Sequence, residues 1–310
     1  MSAFLPANAI RALAGALVVA ALGLPWLARY VGALDAADKS SVEQVTQTVQ
    51  LRPELVRLPG GRFLMGSPAG EQGRDDDETL HEAEVAPFEI CRTEVTVAQW
   101  FTVMNNKPSD CNHGCDDDNP VQNVSWEDSL RYLNTLTAME NDYFPEQSPM
   151  TMCYEKSNDR WTWISGCTGF RLPTETEWEY AARADTRTAY SFGADASKLD
   201  NYAWYSKNSD GRVHEVASKT ANTWGLYDMH GNVWEWIWDW HGEYPSKTPS
   251  GYRGSQDDRS RVLRGGSFYF WPENLRSAFR DDLPPTKPCV DVGLRCARSL
   301  SAEPLEPSAH

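Results

Sequence analysis

The chemistry-bearing side chains of this 310-residue chain are seven cysteines, six histidines and many acids. Cys111 and Cys115 bracket the tight polar stretch Asn112-His113-Gly114. Cys153 and Cys167 flank Tyr154 to Gly166, which reads as a hairpin turning near Ser157-Asn158-Asp159. In an exported chain both pairs are read first as disulfides. Cys91, Cys289 and Cys296 remain, so one thiol stays free or pairs between chains. The alternative for Cys111, His113 and Cys115 is a metal site, which lacks the usual second ligand pair. Asp75-Asp76-Asp77 and Asp116-Asp117-Asp118 are solvated loops or, as clustered hard oxygens, calcium ligands. His81, His113, His214, His230, His241 and His310 show no i, i+4 pair or facial set, and no Ser-His-Asp order, phosphate loop or zinc-protease motif occurs.

The elements that must position these groups are short. Three capping boxes, Thr96 with Gln99, Ser125 with Asp128 and Thr174 with Glu177, each open an apolar run at helical spacing. Strand-like runs such as Arg62-Phe63-Leu64-Met65, Phe88-Glu89-Ile90 and Arg261-Val262-Leu263 alternate with Gly- and Pro-rich turns. With 13 Trp, 21 Gly and 19 Pro, this predicts an α+β domain of short strands and helices with much irregular loop. A net charge of -15 argues against a nucleic-acid partner, which draws on Lys and Arg.

The ends differ from the middle. Ala12 to Ala28 is uncharged, follows Arg11 and is about long enough to cross a bilayer, so residues 1–33 are a signal anchor or signal peptide. Val31-Gly32-Ala33 would allow cleavage, whereas Pro25, Trp26 and Arg29 favour a retained anchor. Residues 34–50 read as a linker, 51–298 as one extracytoplasmic or periplasmic domain, and 299–310 as a disordered tail.

Four ordered stretches carry more specific information: Pro59-Gly60-Gly61-Arg62-Phe63-Leu64-Met65-Gly66-Ser67, Arg171-Leu172-Pro173-Thr174-Glu175-Thr176-Glu177-Trp178-Glu179-Tyr180-Ala181-Ala182-Arg183, Gly225-Leu226-Tyr227-Asp228-Met229-His230-Gly231-Asn232-Val233-Trp234-Glu235-Trp236, and Arg264-Gly265-Gly266-Ser267, with Gly293-Leu294-Arg295-Cys296 closing the domain. Together they resemble the formylglycine-generating enzyme, or sulfatase-modifying factor, family. The resemblance implies a variant of the C-type-lectin-like fold. It also implies a calcium site from Asp228, the carbonyls of Gly231 and Val233, and Glu235, a set that makes chemical sense as a hard oxygen cage on a turn that Gly231 allows.

The family's enzymes oxidise a sulfatase cysteine with a thiol pair and, in aerobic members, copper. Phe270 and Leu275 stand where those thiols would be. Neither can bind Cu(I) or form a mixed disulfide, so cysteine-dependent oxidase activity and copper are not expected. Cys296 matches a structural disulfide position whose usual partner is Leu133 here, leaving Cys91 or Cys289 to replace it. Trp234 and Ser267 match positions lining the family's cleft, and His230 is a further candidate there as base or ligand. As structure, the same residues are core, turn and a satisfied histidine. The expected function is a binding module for a peptide, glycan or envelope protein. The alternative is an oxidoreductase of non-cysteine chemistry resembling the pyoverdine-maturation branch.

Overall fold

The computed structural model describes residues 52–144, 147–255 and 259–300. The expected anchor, linker and most of the tail lie outside the described residues.

The strands are β1 (Leu55–Leu58), β2 (Gly61–Met65), β3 (His81–Val85), β4 (Phe88–Cys91), β5 (Tyr154–Ser157), β6 (Arg160–Trp163), β7 (Phe170–Arg171), β8 (Trp234–Trp240), β9 (Lys247–Thr248), β10 (Arg261–Arg264), β11 (Asp281–Leu283), β12 (Val292–Gly293) and β13 (Ala297–Ser299). They form sheets in the orders β1-β4-β13-β7, β11-β10-β8-β12 and β2-β3-β9, plus the hairpin β5-β6. Helices α1 (Val97–Met104), α2 (Trp126–Tyr143) and α3 (Glu175–Arg183) sit among them. Strand β13 pairs Ser299 with Phe88, so the ordered domain runs past 298 and the expected tail cannot begin at Ser299.

Local sequence accounts for much of this. Each predicted capping box closes in both directions, satisfying two otherwise unpaired N–H groups per helix. Asn158 and Asp159 adopt left-handed conformations between β5 and β6, as a two-residue hairpin turn requires. Cys111–Cys115 and Cys153–Cys167 are disulfides, which excludes the metal alternative at the first pair. The third disulfide joins Cys91 to Cys296 across a sequence separation of 205, and Cys289 carries the free thiol. Three disulfides fit an oxidising, extracytoplasmic compartment.

Strand β8, Trp-Glu-Trp-Ile-Trp-Asp-Trp, is the spine of the core and is buried on both faces until its last residue. One face carries Trp234, Trp236 and Trp238, and the indole N–H of Trp236 donates to the carbonyl of Val124. The other face carries Glu235 and Asp239, two carboxylates that burial would penalise unless they are paired or protonated. Glu235 has an arginine partner. Asp239 accepts a hydrogen bond from the backbone N–H of Glu175 but leaves Oδ1 unpartnered.

Burial, then the nearby Glu175 charge, pushes the Asp239 carboxyl well above its ordinary range. A carboxyl whose folded pKa lies above its unfolded value stabilises the fold at low pH and loses that contribution as pH rises through the folded pKa. Acidification from pH 7 to pH 5 should therefore stabilise the domain through this group, by on the order of 1 kcal/mol. Asp239→Asn should flatten that part of the dependence. Urea midpoints of both proteins at the two pH values check it, and parallel slopes would count against a protonated Asp239.

Candidate functional site

The Gly265-Gly266-Ser267 turn and the loop after it are held by long-range partners. Arg264, fully buried at the end of β10, pairs with Glu179 of α3 and lies 3.3 Å from Glu175. Gly266 has φ +79, and a Cβ there would meet the Leu275 side chain at 2.6 Å, so both conformation and space require glycine. The Gly231 N–H donates to the Gly265 carbonyl and the Phe268 N–H to the Asn232 carbonyl, docking the turn on the segment that enters β8.

This packing decides the fate of the expected cleft residues. Trp234 is only 1% exposed, with Phe270 edge-on to it at 5.2 Å. Ser267 is 0% exposed and its hydroxyl donates to Asp291 Oδ2 at 2.8 Å. Both therefore belong to the interior and do not wall an open cleft. Leu275 is also fully buried, while Phe270 packs partly buried against the core. The Cys289 thiol donates to Asp291 Oδ1 at 3.0 Å, so one carboxylate holds the serine and the free thiol together. Burial, then that hydrogen bond to Asp291, raises the thiol pKa and suppresses the nucleophilic thiolate.

His230 is likewise structural. It is buried, its Nδ1–H donates to the Leu275 carbonyl at 2.8 Å, and its Nε2 accepts from the Ser191 N–H at 3.1 Å. Both ring nitrogens are spent, which fixes a neutral tautomer. Desolvation lowers its pKa to about 4, so it is neither a free ligand nor a base poised near neutrality.

What the loop does present to solvent is aromatic. Tyr269 is 42% and Trp271 62% exposed. The Tyr269 hydroxyl lies 2.8 Å from His113 Nδ1, and His113 is held beside it by the Cys111–Cys115 disulfide. Neither Tyr269 nor Trp271 was singled out by the sequence. Their signal was the aromatic run following Ser267.

The expected calcium set is only partly assembled. The Glu235 carboxylate is filled by Arg295, at 2.7 Å and 3.0 Å, and by the Trp178 indole N–H at 2.7 Å. Asp228 accepts from the Ala217 N–H through Oδ2, while its buried Oδ1 has no partner. Glu94 lies beside them, accepting from Val233 N–H and from the Asn232 side chain. Burial raises the Asp228 pKa to about 6. Burial, then Asp228 and Glu235, pushes Glu94 well above the carboxylate range. Three carboxylates thus share one guanidinium, an imbalance that a cation would relieve, and Asp228 has an oxygen for it. Glu235 does not, and among the described residues no three His, Cys, Asp or Glu side chains form a metal-binding group.

The family model of the "Sulfatase-modifying factor enzyme 1-like domain" matches residues 40–300 of the chain. The chain belongs to the sulfatase-modifying factor family. Among relatives, the chain is 28% identical over 270 residues to a "Chaperone protein LppX" of Paenibacillus barcinonensis, covering 79% of this chain and 89% of that protein. It is 28% identical over 285 residues to the "Inactive C-alpha-formylglycine-generating enzyme 2" of Bos taurus, covering 81% and 90%. Its fold superposes on the "Treponema denticola variable protein 1" with a TM-score of 0.71 at 30% identity, covering 79% of this chain and 94% of that one. The α+β architecture with short elements is thus the sulfatase-modifying factor fold.

Proposed function

We propose that this sulfatase-modifying factor domain is an extracytoplasmic binding module without cysteine-dependent oxidase activity, recognising a peptide, glycan or envelope protein. The observation that carries this reading is the state of the loop after Ser267. The positions that the family resemblance equates with the thiols hold Phe270, partly buried against the core, and Leu275, fully buried, while Tyr269 and Trp271 face solvent. Exposed aromatic rings on a scaffold stiffened by disulfides and buried ion pairs bury large area at small entropic cost, which suits binding. The single free thiol is protonated and tied to Asp291, so it does not restore the missing chemistry. The similarity to a chaperone and to an inactive enzyme of the family points the same way. On this reading the N-terminal segment tethers the domain to the membrane.

Incubating the purified protein with a Cys-x-Pro-x-Arg peptide, copper and reductant should give no aldehyde by mass spectrometry. Turnover at a family-like rate would overturn the proposal.

Calcium is part of the same reading, as a structural ion held by Asp228, the carbonyls of Gly231 and Val233, and Glu235. Its support is the unpartnered Asp228 Oδ1 and the surplus of buried carboxylate. Its cost is that Glu235 would have to give up contacts to Arg295 and Trp178. Calcium added to chelator-treated protein at about 100 times its Kd should stabilise the fold by about 2.7 kcal/mol, seen as a raised Tm. The gain should vanish in Asp228→Ala, and a wild-type Tm indifferent to calcium would remove the ion from the proposal.

A further inference from the structure

A recess lined by none of the Gly-Gly-Ser loop residues lies elsewhere on the domain. A groove of ≈ 160 Å³ runs between the β5-β6 hairpin, the first turn of α3 and the loop after β9, lined by Trp163, Arg171, Thr174, Thr176, Tyr252 and Arg253. Its floor is built from rigid parts. Trp163 ends β6 close to the Cys153–Cys167 disulfide, and packs edge-on against Trp238 at 5.2 Å and against Tyr154 at 6.0 Å.

Two guanidinium groups border this one indole, Arg253 at 4.1 Å and Arg171 at 5.0 Å from the ring centre. Among the described residues, only Arg171 has a counter-ion. Its two terminal nitrogens donate to Glu177 at 2.7 Å each and its Nε donates to the Ser299 hydroxyl at 2.9 Å. Among the described residues, no carboxylate, carbonyl or hydroxyl is bonded to Arg253, whose contact is the Trp163 face. Desolvation, then the Arg171 charge, pulls its pKa below the ordinary arginine value. The other acid on the rim, Glu84, is half exposed and lies 3.7 Å from Arg62. A second, independent feature is Thr176. It is 4% exposed, it lines the groove at the first turn of α3, and its buried hydroxyl has no hydrogen-bond partner. A half-buried guanidinium with no bonded acceptor and a buried hydroxyl with no partner border one recess, and a bound anion would give the cation a partner.

We propose that this groove binds the carboxylate of a ligand, with Arg253 supplying a charged hydrogen-bonding fork, Thr176 a second donor, and Trp163 and Tyr252 the apolar wall against which the rest of the ligand lies. A planar carboxylate matches the guanidinium fork. In a chain of net charge -15, a local cationic recess selects a singly charged group presented at close range over a polyanion attracted from afar. The carboxylate has two sources, a peptide C-terminus or an acidic sugar.

The test follows the indole N–H of Trp163 in the ¹⁵N spectrum of the full chain at low salt, assigned by comparison with Trp163→Phe. The probes are trialanine, trialanine amide and glucuronate. A saturable shift with trialanine or glucuronate, at least tenfold weaker with the amide, is the expected result, and the tighter acid names the source. Arg253→Gln should weaken binding at least tenfold with Tm unchanged, and Arg253→Lys should keep the charge but lose affinity with the fork. Thr176→Val removes a hydroxyl without a partner, so it should leave stability unchanged or raise it while weakening binding severalfold. No saturable shift with either acid, an equal shift with the amide, or Arg253→Gln binding like the wild type would each overturn the proposal.

Discussion

Arg264→Met should lower the stability of the domain by about 3–5 kcal/mol, the usual cost of stripping one partner from a buried ion-pair network. Arg264 is wholly buried and touches two carboxylates of α3, Glu179 and Glu175, which are equally buried. Without it, Glu179 retains Arg183 and the Gly66 N–H, and Glu175 retains Arg280. Neither carboxylate is orphaned outright, so the loss should sit within that range and not far above it. Set against a total of about 5–15 kcal/mol for a domain, the change takes a large share of the margin. Arg264→Lys should fall between, since it keeps charge but not the fork. Because Arg264 leads directly into Gly265-Gly266-Ser267, Met at 264 should also free the loop carrying Tyr269 and Trp271 and weaken any ligand held there. Urea midpoints measure the first effect. A loss under about 1 kcal/mol would mean that the network is bypassed by solvent, contrary to its burial.

The second large effect concerns the Cys91–Cys296 disulfide. In the loop-closure picture the stabilisation grows with the logarithm of the length closed. A separation of 205 corresponds to roughly 5 kcal/mol, against roughly 2 kcal/mol for the separation of four between Cys111 and Cys115. The double variant Cys91→Ser/Cys296→Ser should therefore be much less stable than Cys111→Ser/Cys115→Ser. The pair also joins strands far apart in sequence, since β4 and β13 are neighbours and Arg295 donates to the Cys91 carbonyl at 2.9 Å. Equal denaturation midpoints for the two double variants would show that the long closure adds nothing beyond packing.

The parts of this protein legible in its sequence are those decided within a few residues. A capping box involves four positions, so Thr96, Ser125 and Thr174 announced their helices. The β5-β6 hairpin and the disulfides at Cys111–Cys115 and Cys153–Cys167 are short closures of the same kind. The ordered motifs from Pro59 to Cys296 were specific enough to carry the family and, with it, the fold.

What the tertiary structure alone decided is which distant group each polar side chain meets. Glu235 had the right chemistry for a calcium cage, but Arg295, 60 residues away, fills its oxygens. Ser267, Trp234 and His230 had the types expected of a cleft, and packing against Asp291, Phe270 and Leu275 turned all three inward. Cys296 had two candidate partners, and the pairing of β4 with β13 brought Cys91 to it instead of Cys289. Arg253 and Thr176 carried no motif at all, and only the shared recess beside Trp163 makes an unpaired charge and an unpaired hydroxyl neighbours. The physical reason is common to all four cases. Residue type sets what a group can bond, whereas burial and the meeting of remote segments set which bond is available to it.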